Sequence, residues 1–217
     1  MSQEITGREV SVGVGEVCLP GTLTAPDSPC GVVVFAHGSG SSRHSRRNVA
    51  VARRLVERGC ATLLFDLLTD DEAADRRNVF DIDLLSRRVR SATEWLSGQP
   101  GLEAVPVGYF GASTGAAAAL VAAARMGNAV SAVVSRGGRP DLAGEALERV
   151  RAPTLLLVGS LDVQVLHLNE EARARLRTES ELKVIQGAGH LFEEPGTLEA
   201  VAEAAGEWFE EKMRDRA

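Results

Sequence analysis

Six short aliphatic runs, separated by stretches of helical periodicity, constrain this chain more than any other feature of it. They lie at residues 31–36 (GVVVFA), 61–65, 105–110, 130–135, 154–158 and 182–185. Apolar runs of this length without alternation suit strands buried on both faces, where every side chain must be apolar whichever way it points. Between them, apolar residues recur at helical spacing. Residues 46–58 carry Val49, Val51, Leu55 and Val56 on one face, and residues 83–96 carry Leu84, Leu85, Val89, Ala92 and Leu96. Further helices are predicted over 113–126, 142–150, 168–176 and 197–213. Parallel strands need a crossover long enough for a helix, so the alternation predicts an α/β fold with a mostly parallel central sheet and helices on both faces. Residues 9–14 and 16–24 instead alternate apolar and polar around Gly15, which predicts an N-terminal antiparallel hairpin at the sheet edge.

At 217 residues this grammar fills the chain, and no linker, repeat or charge block divides it, so one domain over 1–217 is expected. The most polar segment, 69–77 (TDDEAADRR), reads as a solvated loop. The longest uninterrupted apolar stretch, 116–124, is mostly alanine and far short of the roughly 20 residues that a membrane span needs. Residues 1–8 lack the apolar core of a secretory signal, so a cytoplasmic setting is expected. A net charge of −6 and an aromatic share of 4% argue against nucleic acid as a partner, since phosphate contacts need a basic surface and base stacking needs rings. Cys18, Cys30 and Cys60 are widely spaced without a CxxC pair, so free thiols are expected rather than a disulfide framework or structural zinc. Of the 24 cations, 22 are arginine, a bias that genome composition explains in the first instance.

Chemistry is concentrated at the strand ends. The third run leads into Gly111-Ala112-Ser113-Thr114-Gly115 and then a helix, the strand, tight turn and helix that a G-x-S-x-G nucleophile elbow requires. A serine on such a turn needs neighbours without side chains two residues to either side, so that strand and helix can approach. A nucleophilic serine needs a base, and the base needs an orienting group. Of four histidines, His190 follows the last run in a small-residue loop, GAGH, and Asp162 follows the fifth run in GSLD. Ser113, Asp162 and His190 thus fall at the carboxyl ends of three strands, the edge where open α/β sheets place their sites.

With these motifs the chain resembles the α/β-hydrolase superfamily from about residue 9 to residue 213, and within it the compact, lidless, dienelactone hydrolase-type proteins. The resemblance implies that His37-Gly38-Ser39-Gly40 is an oxyanion loop, with the backbone N–H groups of Ser39 and Thr114 as the oxyanion hole and His37 as a structural residue of the loop. One departure matters. Dienelactone hydrolases proper carry cysteine at the elbow where this chain has Ser113, so their lactone cannot be assumed as substrate. Only residues 136–153 separate the fourth and fifth runs, too few for a lid, so a shallow, wet site for small soluble substrates is expected.

Arginines lie near the same edge, at Arg43, Arg46 and Arg47 and at Arg136 and Arg139. Guanidinium groups clamp carboxylates and phosphates, so an anionic substrate held by Arg43 and Arg136 is one reading. The other is that these arginines are solvated or pair with structural carboxylates such as Asp66 and Asp141. The expected activity is serine hydrolysis of a carboxylic ester, lactone or thioester, needing neither metal nor organic cofactor. An acyltransferase or peptidase using the same triad, or a non-catalytic ligand-binding member of the fold, are the alternatives. A monomer and a homodimer paired through the last strand are both compatible with the sequence.

Overall fold

The computed structural model describes residues 7–214. Residues 1–6, and with them most of the segment read for a secretory signal, lie outside that range. Among the described residues eight strands form one sheet: β1 (Arg8–Val14), β2 (Val17–Thr24), β3 (Val32–Ala36), β4 (Ala61–Phe65), β5 (Val107–Ala112), β6 (Val130–Arg136), β7 (Thr154–Gly159) and β8 (Ser180–Ile185). Their spatial order is β1-β2-β4-β3-β5-β6-β7-β8. The β1–β2 hairpin joins β4 antiparallel, and every pair from β4 across to β8 is parallel. This is the α/β arrangement that the aliphatic runs predict.

Helices cover both faces, as a sheet of doubly buried strands demands. On one side α4 (Ile82–Leu96) and α5 (Thr114–Met126) pack with Leu85, Val89, Leu96 and the alanines of α5 against Val34, Leu63 and Tyr109. On the other, α1 (Arg46–Glu57) and α7 (Thr197–Arg214) bury Val51, Leu55, Val201, Trp208 and Phe209 against Val33, Phe110 and Val134. No helix among the described residues is long and apolar enough to cross a membrane.

Three of the departures from expectation have a clear local reason. Strand β5 runs on to Ala112, because Gly111 and Ala112 keep pairing with Ser135 and Arg136 after the bulky residues end. Helix α6 (Val163–Arg175) begins directly after Asp162, five residues earlier than its apolar spacing suggests. Its first turn carries Val163 outward, 70% exposed, and buries only Val165, so it shows no apolar spacing to read. The segment read as a solvated loop folds into α2 (Asp70–Ala74) and α3 (Arg76–Val79). A capping box holds α2: Thr69 Oγ1 accepts from the Glu72 amide at 3.2 Å, and Glu72 accepts from the Thr69 amide at 2.9 Å. That T-x-x-E signature is in the sequence, unaccompanied by apolar periodicity.

Candidate active site

Ser113 sits between β5 and α5 with φ 51° and ψ −122°. Positive φ strains any residue with a Cβ, and here the surroundings over-determine it. The Ser113 amide donates to the Arg136 carbonyl at 3.3 Å, while its own carbonyl accepts from the amides of Ala116 and Arg139 at 3.1 and 3.0 Å. The flanking glycines are required by contact. A Cβ at Gly111 would fall on the Ala116 backbone, and one at Gly115 on the Ala36 carbonyl. The elbow side chain is half-buried and faces the loop that follows β3, where a Cβ on Gly38 would lie 3.1 Å from Ser113 Cβ.

Asp162 and His190 are brought together by the loops that follow β7 and β8. These loops are tied to each other: the Leu161 amide donates to the Ala188 carbonyl at 2.9 Å, and the Gly187 amide to Ser160 Oγ at 2.9 Å. His190 Nδ1 then lies 2.6 Å from Asp162 Oδ2, a charge-assisted distance that fixes the ring. Asp162 occupies the N-cap position of α6, where an aspartate ordinarily accepts from the first-turn amides, yet its side chain makes no cap bond. Its carboxylate is committed to the imidazole instead. Among the described residues neither Ser113 Oγ nor His190 Nε2 makes a hydrogen bond, a looseness common in sites without bound substrate.

The loop that follows β3, read in the sequence as an oxyanion loop, is positioned by His37. The Leu67 amide donates to His37 Nε2 at 3.1 Å, so the ring proton is on Nδ1, which donates to the Gly38 carbonyl at 3.0 Å. Burial holds the His37 pKa below that of a free imidazole. The ring is therefore a neutral strut between the loops that follow β3 and β4. Ser39 N–H donates to Thr114 Oγ1 at 2.9 Å, so at rest this amide already has an acceptor.

The two arginines singled out as substrate contacts part company. Arg43 is a structural ion-pair partner: its amide and Nη1 donate to Asp66 at 2.7 and 2.8 Å, and its Nη2 to Glu9 at 3.0 Å. Both of its terminal nitrogens are thus engaged by structural carboxylates rather than turned to a substrate. Arg139 likewise forms a two-pronged pair with Asp141. Arg136 is different. At the end of β6 it is 7% exposed, and its guanidinium carbon stands 5.7 Å above the Phe192 ring centroid. Among the described residues it has no carboxylate partner, and its Nε is buried without an acceptor. Burial, with the repulsion of nearby Arg47, pulls its pKa down to about 10. Phe192 holds its ring there at the cost of a positive φ of 54°. Arg136 adjoins the site directly, since its carbonyl receives the Ser113 amide and the next residue, Gly137, packs against the backbone of His190.

Two features of the site were not expected. Helices α2 and α3 form one wall of a cleft of about 340 Å³ whose other wall is the loop that follows β3, with Ser39, Ser42, Leu68, Ala73 and Val79 among its lining. Leu161, Val163 and Leu191 are 66%, 70% and 44% exposed beside Asp162 and His190, so the rim is aliphatic rather than wholly wet. A surface depression of about 520 Å³ near Glu148, Arg151 and Arg177 precedes β7 and β8, at the opposite edge of the sheet from Ser113.

The sequence matches the profile of the Dienelactone hydrolase family over residues 19–214. The chain belongs to that family. A dienelactone hydrolase from Anabaena variabilis is 54% identical and superposes with a TM-score of 0.94, covering 96% of this chain and 99% of that one. A protein of Mycobacterium tuberculosis named as a putative phosphoribosyl transferase is 60% identical over 202 residues, which are 93% of this chain and 46% of that protein. The chain thus spans about half the length of the curated relatives it matches. An esterase from Pyrococcus furiosus shares the fold at 18% identity, with a TM-score of 0.78 over 96% of this chain and 94% of that one. Membership in the dienelactone hydrolase family makes this an α/β-hydrolase fold.

Proposed function

We propose that the chain is a serine hydrolase that cleaves a small soluble carboxylic ester, lactone or thioester through an acyl-enzyme on Ser113. The observation that carries this reading is the 2.6 Å bond between His190 and Asp162, on the same sheet edge as the strained Ser113 elbow. His190 Nε2 takes the Ser113 Oγ proton as the oxygen attacks the carbonyl, and Asp162 holds the Nδ1 proton and balances the imidazolium. The Thr114 amide, at the start of α5, receives the oxyanion, and the Ser39 amide joins it by exchanging the Thr114 hydroxyl for the stronger, charged acceptor. The imidazolium then protonates the leaving group. Water, deprotonated by His190, attacks the acyl carbonyl and restores the serine.

The alkyl or aryl part of the substrate is assigned to the cleft beside Ser39, whose volume suits a small ligand. An anionic group on the substrate is assigned to Arg136, a buried guanidinium that lacks a carboxylate of its own. Phosphoribosyl transfer is the name given to a protein twice as long, and an elbow serine with a histidine and an aspartate is machinery for acyl chemistry.

A panel of p-nitrophenyl esters from acetate to decanoate tests the reading. Turnover that is highest for the short acyl chains is expected; no turnover at any length, with tight ligand binding in a thermal-shift screen, would favour a binding protein.

Arg136 gives a second, separable test. Arg136→Met is expected to lower kcat/KM for a carboxylate-bearing ester about 10- to 100-fold, the worth of a charge-assisted hydrogen bond, and to leave a neutral ester within about twofold. Because the same change removes an unpaired buried charge, the variant is also expected to be more stable than the parent by about 1–3 kcal/mol in urea unfolding. An unchanged preference between the two esters would sink the assignment.

A further inference from the structure

The three cysteines look unrelated in sequence, but two of them meet in the fold. Cys30 precedes β3 and Cys60 precedes β4, and these strands are parallel neighbours with Val32 opposite Ala61. The Cys30 amide donates to the Gly59 carbonyl at 3.0 Å and the Ala61 amide to the Gly31 carbonyl at 2.8 Å, so both chain segments are fixed at the pair. Their sulfurs lie 3.4 Å apart. Adjacent strands are separated by about 4.8 Å, within the Cα span that a disulfide bridges. The two thiols differ in access: Cys30 is exposed, and Cys60 is fully buried under α1 and α7. An accessible sulfur backed by a buried partner in contact is the arrangement of an attacking and a resolving cysteine.

We propose that Cys30 and Cys60 form a reversible oxidation site that hydroperoxides convert to an intramolecular disulfide. The Cys30 thiolate attacks one peroxide oxygen and the O–O bond breaks. Cys30 becomes a sulfenic acid, and the departing hydroxide takes a proton to leave as water. Cys60 sulfur then attacks Cys30 sulfur, the S–S bond forms, the S–O bond breaks, and the hydroxide leaves as water with the Cys60 proton. Two thiols lose two electrons and two protons, and one hydrogen peroxide becomes two waters. A dithiol reductant reverses the step by exchange.

The surroundings favour Cys30 as the attacking sulfur. The hydrogen bond from Cys60 lowers the Cys30 pKa to about 7, with Arg214 helping and burial and Glu210 opposing, while contact with Cys30 and burial raise that of Cys60. The site stands at the amino ends of β3 and β4, away from the Ser113 edge, and the disulfide would close a loop holding β3, the oxyanion loop and α1. The site is independent of the proposed esterase chemistry.

Cys18, exposed and without a neighbouring cysteine, serves as an internal control. The reduced protein is treated with hydrogen peroxide at pH 7, quenched by alkylation and mapped without reduction. The expected result is a Cys30–Cys60 linked peptide, forming roughly 10-fold faster than any oxidation of Cys18, with the thiols restored by dithiothreitol. In Cys60→Ala, and equally in Cys60→Ser, Cys30 is expected to stop at a sulfenic acid that dimedone traps. Oxidation of Cys30 no faster than Cys18, or Cys30 carried to sulfinic acid or an intermolecular dimer while Cys60 remains alkylatable, would overturn the proposal.

Discussion

Ser113→Ala is expected to lower kcat for the best p-nitrophenyl ester by about 10⁴-fold or more while leaving the protein folded. The change removes the attacking oxygen and leaves the elbow backbone as it was, because the Ser113 amide and carbonyl, not its hydroxyl, hold the turn together. A companion variant separates chemistry from conformation. Ser113 has φ 51°, a region that glycine enters without penalty, so Ser113→Gly is expected to be equally inactive yet more stable than the parent by about 1 kcal/mol. Kinetics and urea midpoints on the three proteins check both parts. Substantial ester turnover by either variant would remove Ser113 from the mechanism.

The second large effect is expected at Asp162. Asp162→Asn keeps the shape of the side chain but replaces an acceptor by a donor opposite His190 Nδ1. The ring then adopts the tautomer with its proton on Nε2, the nitrogen that has to accept the serine proton, and the imidazolium loses its counter-charge. A fall in kcat of about 10³- to 10⁴-fold is expected, with KM changed little. The stability effect should be small, since the Asp162 side chain makes no bond to the α6 amides that substitution could break. A variant with near-parental kcat would show that the 2.6 Å contact is an ordinary surface ion pair.

What the sequence disclosed follows from where physical constraints are local. The buried strands were legible because burial on both faces forces a continuous aliphatic run, and the elbow was legible because only glycine fits at Gly111 and Gly115. Asp162 and His190 could be paired in advance because strand ends of a parallel sheet share an edge. Helices α2 and α3 were hidden, since a short capped helix with no buried residue leaves no periodic trace. With them went the cleft wall that they build. The fates of the arginines were also beyond reach of the sequence. Whether a guanidinium meets a carboxylate depends on non-local packing, and Asp66 and Asp141 occupy Arg43 and Arg139 while nothing equivalent reaches Arg136. The contact of Cys30 with Cys60 belongs to the same class, a product of strand register between segments 30 residues apart.

Arg136 also shows how function and stability can be weighed at one residue. A guanidinium that is 7% exposed and unpaired costs free energy, and a positive φ at Phe192 adds to that cost. An oxyanion delivered by a substrate would offset it.

Covalent trapping tests the central claim most directly. The protein is incubated with a fluorophosphonate, and the intact mass and a peptide map are recorded for the parent and for Ser113→Ala. One phosphonyl group on Ser113, formed in parallel with loss of esterase activity and absent from the variant, is the predicted result. A folded, active protein that takes up no label, or takes it up on another residue with the same loss of activity, would contradict it.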